Sequence, residues 1–207
     1  MNVLLINGSP HSKGSTYTAL SAVAAALEAE GIGSTLKQVG HLAVRGCMAC
    51  GKCRETGQCA IDTDPVNEYS QMLKAADGVV IGSPVYYAAP NGALCAFLDR
   101  LFMSSGPTAF AFKPAASVVS CRRGGASAAF DRLNKYFTIS SMPIVSSVYW
   151  NSVHGNAAEE TVQDLEGIHV MRVLGQNMAW LLKCIDAAKS TVPYPVHEPK
   201  VYTNFIR

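Results

Sequence analysis

The sequence is short of charge. Only 15% of its 207 residues are Asp, Glu, Lys or Arg, and the formal net charge is +2. No run of basic residues with interleaved aromatics occurs, which argues against a dedicated nucleic-acid surface. Long hydrophobic runs are missing too. The apolar start Val3-Leu4-Leu5-Ile6 stops at Asn7-Gly8-Ser9-Pro10, too soon for a signal peptide or a membrane span. The expectation is a cytoplasmic protein with no membrane partner, in a compartment where thiols stay reduced. There is no internal repeat, no low-complexity segment and no G-x-G-x-x-G dinucleotide pattern.

What is there begins with thiols. The stretch from Cys47 to Cys59, CMACGKCRETGQC, packs four of the chain's seven cysteines into thirteen residues. In a reducing compartment such a set reads as metal, cluster or redox chemistry before structural disulfides. The rest of the composition is apolar, with hydrophobic residues at 49%. That suits one domain with a sizeable core and buried subunit interfaces, hence a homodimer or homotetramer.

Four apolar runs do not alternate and so read as strands buried on both faces: Val3–Asn7, Gly78–Gly82, Ala116–Cys121 and Pro143–Val148. Ser34–Val39 is more polar, as an edge strand would be. Helices are expected at Ser15–Glu30, ending at Gly31, and at Pro65–Ala76, with Asp62 or Asp64 as its cap. Gly92–Met103 and Ala126–Tyr136 follow, and Val162–Lys189 reads as one long helix or a broken pair. Residues 1–189 then form the domain, with a cysteine loop at 45–60. Residues 190–207, which hold three prolines, form an extended arm. The alternation specifies an α/β, flavodoxin-like three-layer sandwich around a five-stranded parallel sheet of order 2-1-3-4-5. In such a sheet ligands sit beyond the carboxyl ends of the strands, at the switch point between strands 1 and 3.

Three loops arrive at that rim. The first, NGSPHSKGSTYTAL, offers the hydroxyls of Ser9, Ser12, Ser15 and Thr16 beside His11 and Lys13, at the start of a helix. Hydroxyls and free helix N–H groups can cradle one terminal phosphate, which suits FMN better than a pyrophosphate. The competing reading is an ordinary strand–helix turn with a Ser cap. The second loop, Ser83-Pro84-Val85-Tyr86-Tyr87, could lay its aromatics against a flat ring, or bury them in the core. The third, Arg122-Arg123-Gly124-Gly125, lets the backbone approach a ligand closely and brings an arginine toward a ring oxygen or a phosphate. Its alternative is a solvated arginine pair, which a helix N-terminus disfavours.

These motifs, in this order, resemble the NADPH-dependent FMN reductase superfamily: GSPHSKGST, DGVVIGSPVYY, ALCAFLDR, RRGG and YWNSVHG. With the compact cysteine set they resemble, more narrowly, the iron–sulfur flavoproteins. The resemblance runs to about Gly155. It implies FMN as cofactor, phosphate contacts at Ser9, His11, Ser15 and Thr16, and ring contacts at Pro84, Val85, Tyr86, Tyr87, Arg123, Gly124 and Gly125.

The cysteine spacing C-x2-C-x2-C-x5-C is close to a ferredoxin run, with a longer last gap and no following proline. With no second set present, Cys47, Cys50, Cys53 and Cys59 would together hold one [4Fe-4S] cluster, as the resemblance also implies. Arg45, Lys52 and Arg54 would offset its negative charge. Zinc and no metal at all stay open as alternatives. Both the cysteine loop and the phosphate loop leave carboxyl ends of neighbouring strands, so they are expected to share one rim. The ring lies toward strands 3 and 4, so the cluster is expected to meet a flavin across a subunit interface. Cys95, in the helix Gly92–Met103, is expected in the core, Cys121 at the rim and Cys184 in helix packing. His154 reads as a structural loop histidine or, less simply, as a catalytic one.

Three functions follow. One is an electron-transfer flavoprotein joining a one-electron donor such as ferredoxin to a small-molecule acceptor. The second is an NAD(P)H-dependent FMN or quinone reductase whose cysteines are incidental. The third is a non-enzymatic zinc- or redox-sensing domain.

Overall fold

A computed structural model describes residues 1–196, 198–199 and 201–206. The chain runs β1 (Asn2–Asn7), α1 (Ser15–Ala29), β2 (Gly33–Gln38), α2 (Cys53–Thr56), α3 (Val66–Ala75), β3 (Gly78–Tyr86) and β4 (Ala89–Pro90). It continues with α4 (Gly92–Ser105), β5 (Ala115–Cys121), α5 (Ala126–Ile139), β6 (Ser152–His154), α6 (Ala158–Thr161) and α7 (Leu165–Ala188). The parallel sheet is ordered β2-β1-β3-β5-β6, and β4 folds back antiparallel on β3. Counting parallel strands alone, this is the expected 2-1-3-4-5 sandwich.

Two helical layers sandwich the sheet. On one face α3, α4 and α5 bury Leu73, Phe97, Leu101, Leu133 and Phe137 against Leu4, Ile6, Val79 and Ile81. On the other, α1 and α7 bury Leu20, Leu27, Met171 and Leu174 against Val3, Leu5, Val80 and Val118. The central strands alternate their side chains between these two apolar layers. That is why their sequence is apolar at every position rather than at every second one. β2, paired on one side only, is half-exposed.

The fifth strand departs from the expectation. Pro143–Val148 touches the sheet at a single bridge, Ala115 to Ile144, and then leaves it. The chain bulges out and rejoins β5 only at Ser152–His154. Polar side chains fill the gap in the ladder. Ser147 Oγ donates to Asn151 Oδ1 at 2.7 Å, and the buried Asn151 Nδ2 donates to Ser117 O at 3.0 Å. A strand cannot continue where its side chains bind backbone groups in place of its neighbour.

The closing helix starts at Leu165, later than expected, because Asp164 caps it by accepting from Gly167 N at 2.9 Å. It runs unbroken for 24 residues. After Ala188 the described residues form no helix or strand. The arm still touches the body, since Tyr194 stacks on Phe112 with centroids 5.0 Å apart.

Candidate functional site

The carboxyl ends of β1, β3 and β5 deliver the three anticipated loops to one rim. The first is strapped down by backbone. Gly8 N donates to Gly82 O at 2.8 Å, Ser9 N to Asn7 Oδ1 at 2.9 Å, and His11 N to Ser9 Oγ at 3.1 Å. Gln38 Nε2 holds the carbonyls of Ser9 and Pro10 from the side. The N-cap of α1 is Gly14, not a serine, and no side chain caps the helix. The amides of its first turn are those a helix leaves without internal partners. Of the expected phosphate residues, His11 and Lys13 are exposed and Ser9 and Thr16 are buried. The Thr16 hydroxyl is shared with Ser120 Oγ at 2.8 Å. Ser15 Oγ reaches Gly155 O at 3.4 Å.

The second loop is the turn between β3 and β4. Tyr87 and Ala88 both have positive φ, 49° and 60°, a conformation costly for residues with a Cβ. Tyr86 is 44% exposed and Tyr87 fully so, which rules out burial of these aromatics in the core. Ser83 Oγ fixes the base of the turn by accepting from Asn91 N at 2.9 Å. The third loop leans on the second: a Cβ on Gly125, at φ +90°, would come within 2.9 Å of Ala88 Cα and 3.0 Å of Val85 Cγ1. Arg122, Arg123 and Gly124 are exposed. Among the described residues neither arginine pairs with a carboxylate, nor does Lys13. The rim is thus positive, backbone-rich and free of acidic partners for these cations.

Beside it, His154 receives a structural account. Its N–H donates to Asp164 Oδ2 at 2.6 Å and its ring lies 3.6 Å from the same oxygen. Cys121 is buried at the rim as expected, and burial pushes its thiol up, partly offset by the Arg123 N–H. Cys95 is only half-buried, not the core residue expected, and Cys184 is exposed, not packed between helices.

The four clustered cysteines lie elsewhere. The loop leaves β2 at the rim, but it does not stay there. It runs down the α4 face, so the two loops do not share an edge. Cys47, Cys50, Cys53 and Cys59 all line one hollow of about 100 Å³. Its floor is the second half of α4: Arg100, Met103 and Ser104. α4 begins at Gly92, next to the Tyr86–Tyr87 turn. At 1.5 Å per residue, Arg100 and Ser104 sit about 12 and 18 Å farther along the helix axis. Among the described residues, no three His, Cys, Asp or Glu side chains stand close enough together to hold a metal ion as they are. The four cysteines line the hollow, but their side chains are not gathered at one point.

Arg100 is the residue sequence reasoning missed. It is 1% exposed. Nε donates to Cys59 Sγ at 3.2 Å, Nη2 to Ile61 O at 2.8 Å, and Nη1 to Arg45 O at 3.3 Å and to the Asp64 carboxylate. Burial alone would lower its pKa, but bonds to Asp64 and Cys59 carry it above the ordinary value. Of the cations expected around the thiols, Arg54 lines the hollow, Lys52 pairs with Glu55 in solvent, and Arg45 contributes a carbonyl. A signal existed: Arg100 interrupts the apolar stripe Leu94, Phe97, Leu101 of α4. A charge in such a stripe is buried and needs partners.

Comparison with known proteins identifies the family of the chain. Residues 1–157 match the family model of NADPH-dependent FMN reductase. The chain belongs to this family. An iron–sulfur flavoprotein of Methanocaldococcus jannaschii is 30% identical over 196 residues, 89% of this chain and 99% of that one. The structure of RosB with bound 8-demethyl-8-formylriboflavin-5'-phosphate superposes with a TM-score of 0.73 at 14% identity, covering 100% of this chain and 94% of that one. A flavodoxin, WrbA-like protein from Agrobacterium tumefaciens gives 0.61 at 16%, covering 88% and 97%. At those identities the two structures speak for the fold alone. This member of the FMN reductase family, close to the iron–sulfur flavoproteins, is an FMN-dependent oxidoreductase. The rim fits that cofactor: the uncapped helix start of α1 suits its phosphate, and the exposed Tyr86–Tyr87 turn and the Arg123–Gly125 loop face the same edge. Bound there, FMN supplies hydride and one-electron chemistry, and the chain supplies position and charge. No helix among the described residues is long and apolar enough to cross a membrane.

Proposed function

We propose that this FMN oxidoreductase carries a [4Fe-4S] cluster on Cys47, Cys50, Cys53 and Cys59 and passes electrons between a one-electron donor, such as ferredoxin, and a small acceptor. The observation that carries the reading is the hollow itself, with all four thiols on its wall and a buried guanidinium bonded to one of them. Thiols that ring a space suit several iron atoms at its corners. A single zinc would draw all four sulfurs to about 2.3 Å from one point. The name of the Methanocaldococcus jannaschii relative supports the same assignment.

On the rim we assign the phosphate to Ser9, His11, Lys13, Ser15 and Thr16, and the ring to Pro84, Val85, Tyr86, Tyr87, Arg123, Gly124 and Gly125. Because the hollow lies well down α4 from this rim, a second copy of the chain would bring hollow and flavin loops together. The protein then acts as a homodimer or homotetramer, in the cytoplasm, with residues 1–189 as the working domain and the remainder as an arm.

A second reading has its own support. Arg122 and Arg123 stand exposed and unpaired at the rim, where they would meet the 2′-phosphate of NADPH. In that case the protein is an NAD(P)H-dependent FMN or quinone reductase and the cysteines are incidental. Anaerobic purification followed by iron, sulfide and flavin quantitation separates the readings. One FMN and four irons per chain, with a broad brown absorption and faster reduction by ferredoxin than by NADPH, is the expected result. One FMN, no iron after reconstitution and fast reduction by NADPH would establish the second. A monomer by light scattering would remove the assembly.

A further inference from the structure

Arg100 does more than neutralise charge. Its acceptors are Arg45 O on the entry side of the thiol run, Cys59 Sγ at its end, and Ile61 O and Asp64 beyond it. One planar side chain therefore ties both stems of the cysteine loop to α4. The loop's other ties are short-range turns within it and one long contact to α4, from Cys53 Sγ to Met103 O at 3.9 Å. Its sole helix, α2, is four residues long and buries no side chain. Cys59 has one further tie, to Asn67 of α3, through its own N–H at 2.8 Å and its carbonyl at 3.0 Å.

One turn farther along α4 lies Ser104, on the same face as Arg100. It is 4% exposed and lines the hollow, and its hydroxyl has no hydrogen-bond partner among the described residues. Native interiors leave few hydroxyls unsatisfied, and each such group asks for an occupant. The neighbouring Ser105 shows the contrast: its hydroxyl reaches Leu101 O at 2.7 Å and Ser70 Oγ at 2.7 Å.

We infer that Arg100 and Ser104 are positioning residues of the cysteine hollow: Arg100 clasps the two stems of the loop and donates to Cys59, and Ser104 donates to the sulfur-rich anionic group the hollow takes. The Ser104 half rests on the cluster reading above. The Arg100 half stands on the protein alone. An O–H or N–H aimed at cluster sulfur disperses negative charge, and so raises the reduction potential.

The two halves have separate measurements. In iron-free, FMN-loaded protein, hydrogen exchange is followed over residues 45–61 for wild type, R100Q and R100K. The clasp predicts exchange about tenfold faster or more in R100Q, since a buried hydrogen-bonded ion is removed. It predicts a similar loss in R100K, because one ammonium cannot span four acceptors. Exchange over residues 8–16 stays as in wild type. Wild-type exchange over 45–61 in both variants overturns the clasp. After anaerobic reconstitution with ferrous iron and sulfide, S104A is compared with wild type by iron content and by EPR-monitored potentiometry. Full iron content with a lower midpoint potential is expected. R100K then retains a potential nearer to wild type than R100Q does, which a purely structural role would not produce. An S104A potential equal to wild type overturns the Ser104 role. Failure of wild type itself to take up iron overturns the cluster reading with it, while the exchange data still decide Arg100.

Discussion

The rim and the hollow are built in opposite ways. The rim is made of backbone. Its loops are one or two residues from central strands, are bonded to those strands through amides and carbonyls, and meet each other at glycines. The hollow is made of side chains on an irregular loop, anchored chiefly by Arg100 from the helix beneath. The loops' backbone groups are met by several partners, among them the side chains of Asn7, Ser9, Gln38 and Ser83, so a site of that kind rests on no single side chain. A side-chain clasp is lost with one substitution. The FMN site should therefore be preorganised in the free protein, and the cysteine site should depend on Arg100 and on what fills it.

Substitutions that strike one region and spare the other test this contrast. The largest effect is expected at Gly40, where a Cβ would lie 2.1 Å from Gly8 O and 2.4 Å from Gly8 C. Backbone cannot yield there without moving the phosphate loop. Gly40→Ala should weaken FMN binding by about 100-fold, from overpacking of about 3 kcal/mol, as read by flavin fluorescence titration. Undiminished affinity would mean the loop is not rigid. Next, Cys59→Ser should remove most of the iron from reconstituted protein while FMN stays at one per chain, by metal and flavin assay. Loss of both together would join the two regions. Gly125→Ala strains a left-handed residue and presses on the Tyr86–Tyr87 turn. A cost of about 1–2 kcal/mol should weaken FMN roughly tenfold and leave iron content alone.

The smallest effect concerns the floor on which the hollow stands. Tyr136 packs on Phe102 of α4, and its hydroxyl bonds to Asp99 of the same helix. Burial first, then Asp99, hold this phenol well above its ordinary value of 10.0. A raised folded pKa means that the folded chain keeps the proton more tightly than the unfolded one. Its contribution is complete below about pH 10 and is lost as pH rises toward the folded value. Tyr136→Phe should cost about 1 kcal/mol at neutral pH. It should also flatten the fall in urea midpoint that wild type shows above about pH 10. Parallel curves would remove Tyr136 from that slope.

The order of the sheet was legible because buried parallel strands must be apolar throughout, as Val3–Ile6 and Val79–Ile81 are. Pro143–Val148 carried the same composition and misled, since composition does not reveal that Ser147 bonds to Asn151 and Asn151 in turn to Ser117 O. The rim loops were legible because strand topology alone brings them together. The course of the cysteine loop was not, because a loop that leaves one strand end is free to pack anywhere its side chains find partners. The exposure of Tyr86 and Tyr87 was equally hidden, as it depends on the β3–β4 turn.

By itself the sequence determined the main helices and four of the five parallel strands, their order in the sheet, the rim to which three loops are delivered, and the grouping of four thiols within one short segment. Periodicity, handedness and covalent spacing are local or near-local quantities. Only the tertiary structure decided that those thiols face the second half of α4 instead of the rim, and that Arg100 and Ser104 lie beneath them. Residues some forty positions apart in the chain meet by burial, and the partners of a buried charge are chosen by what the fold places around it.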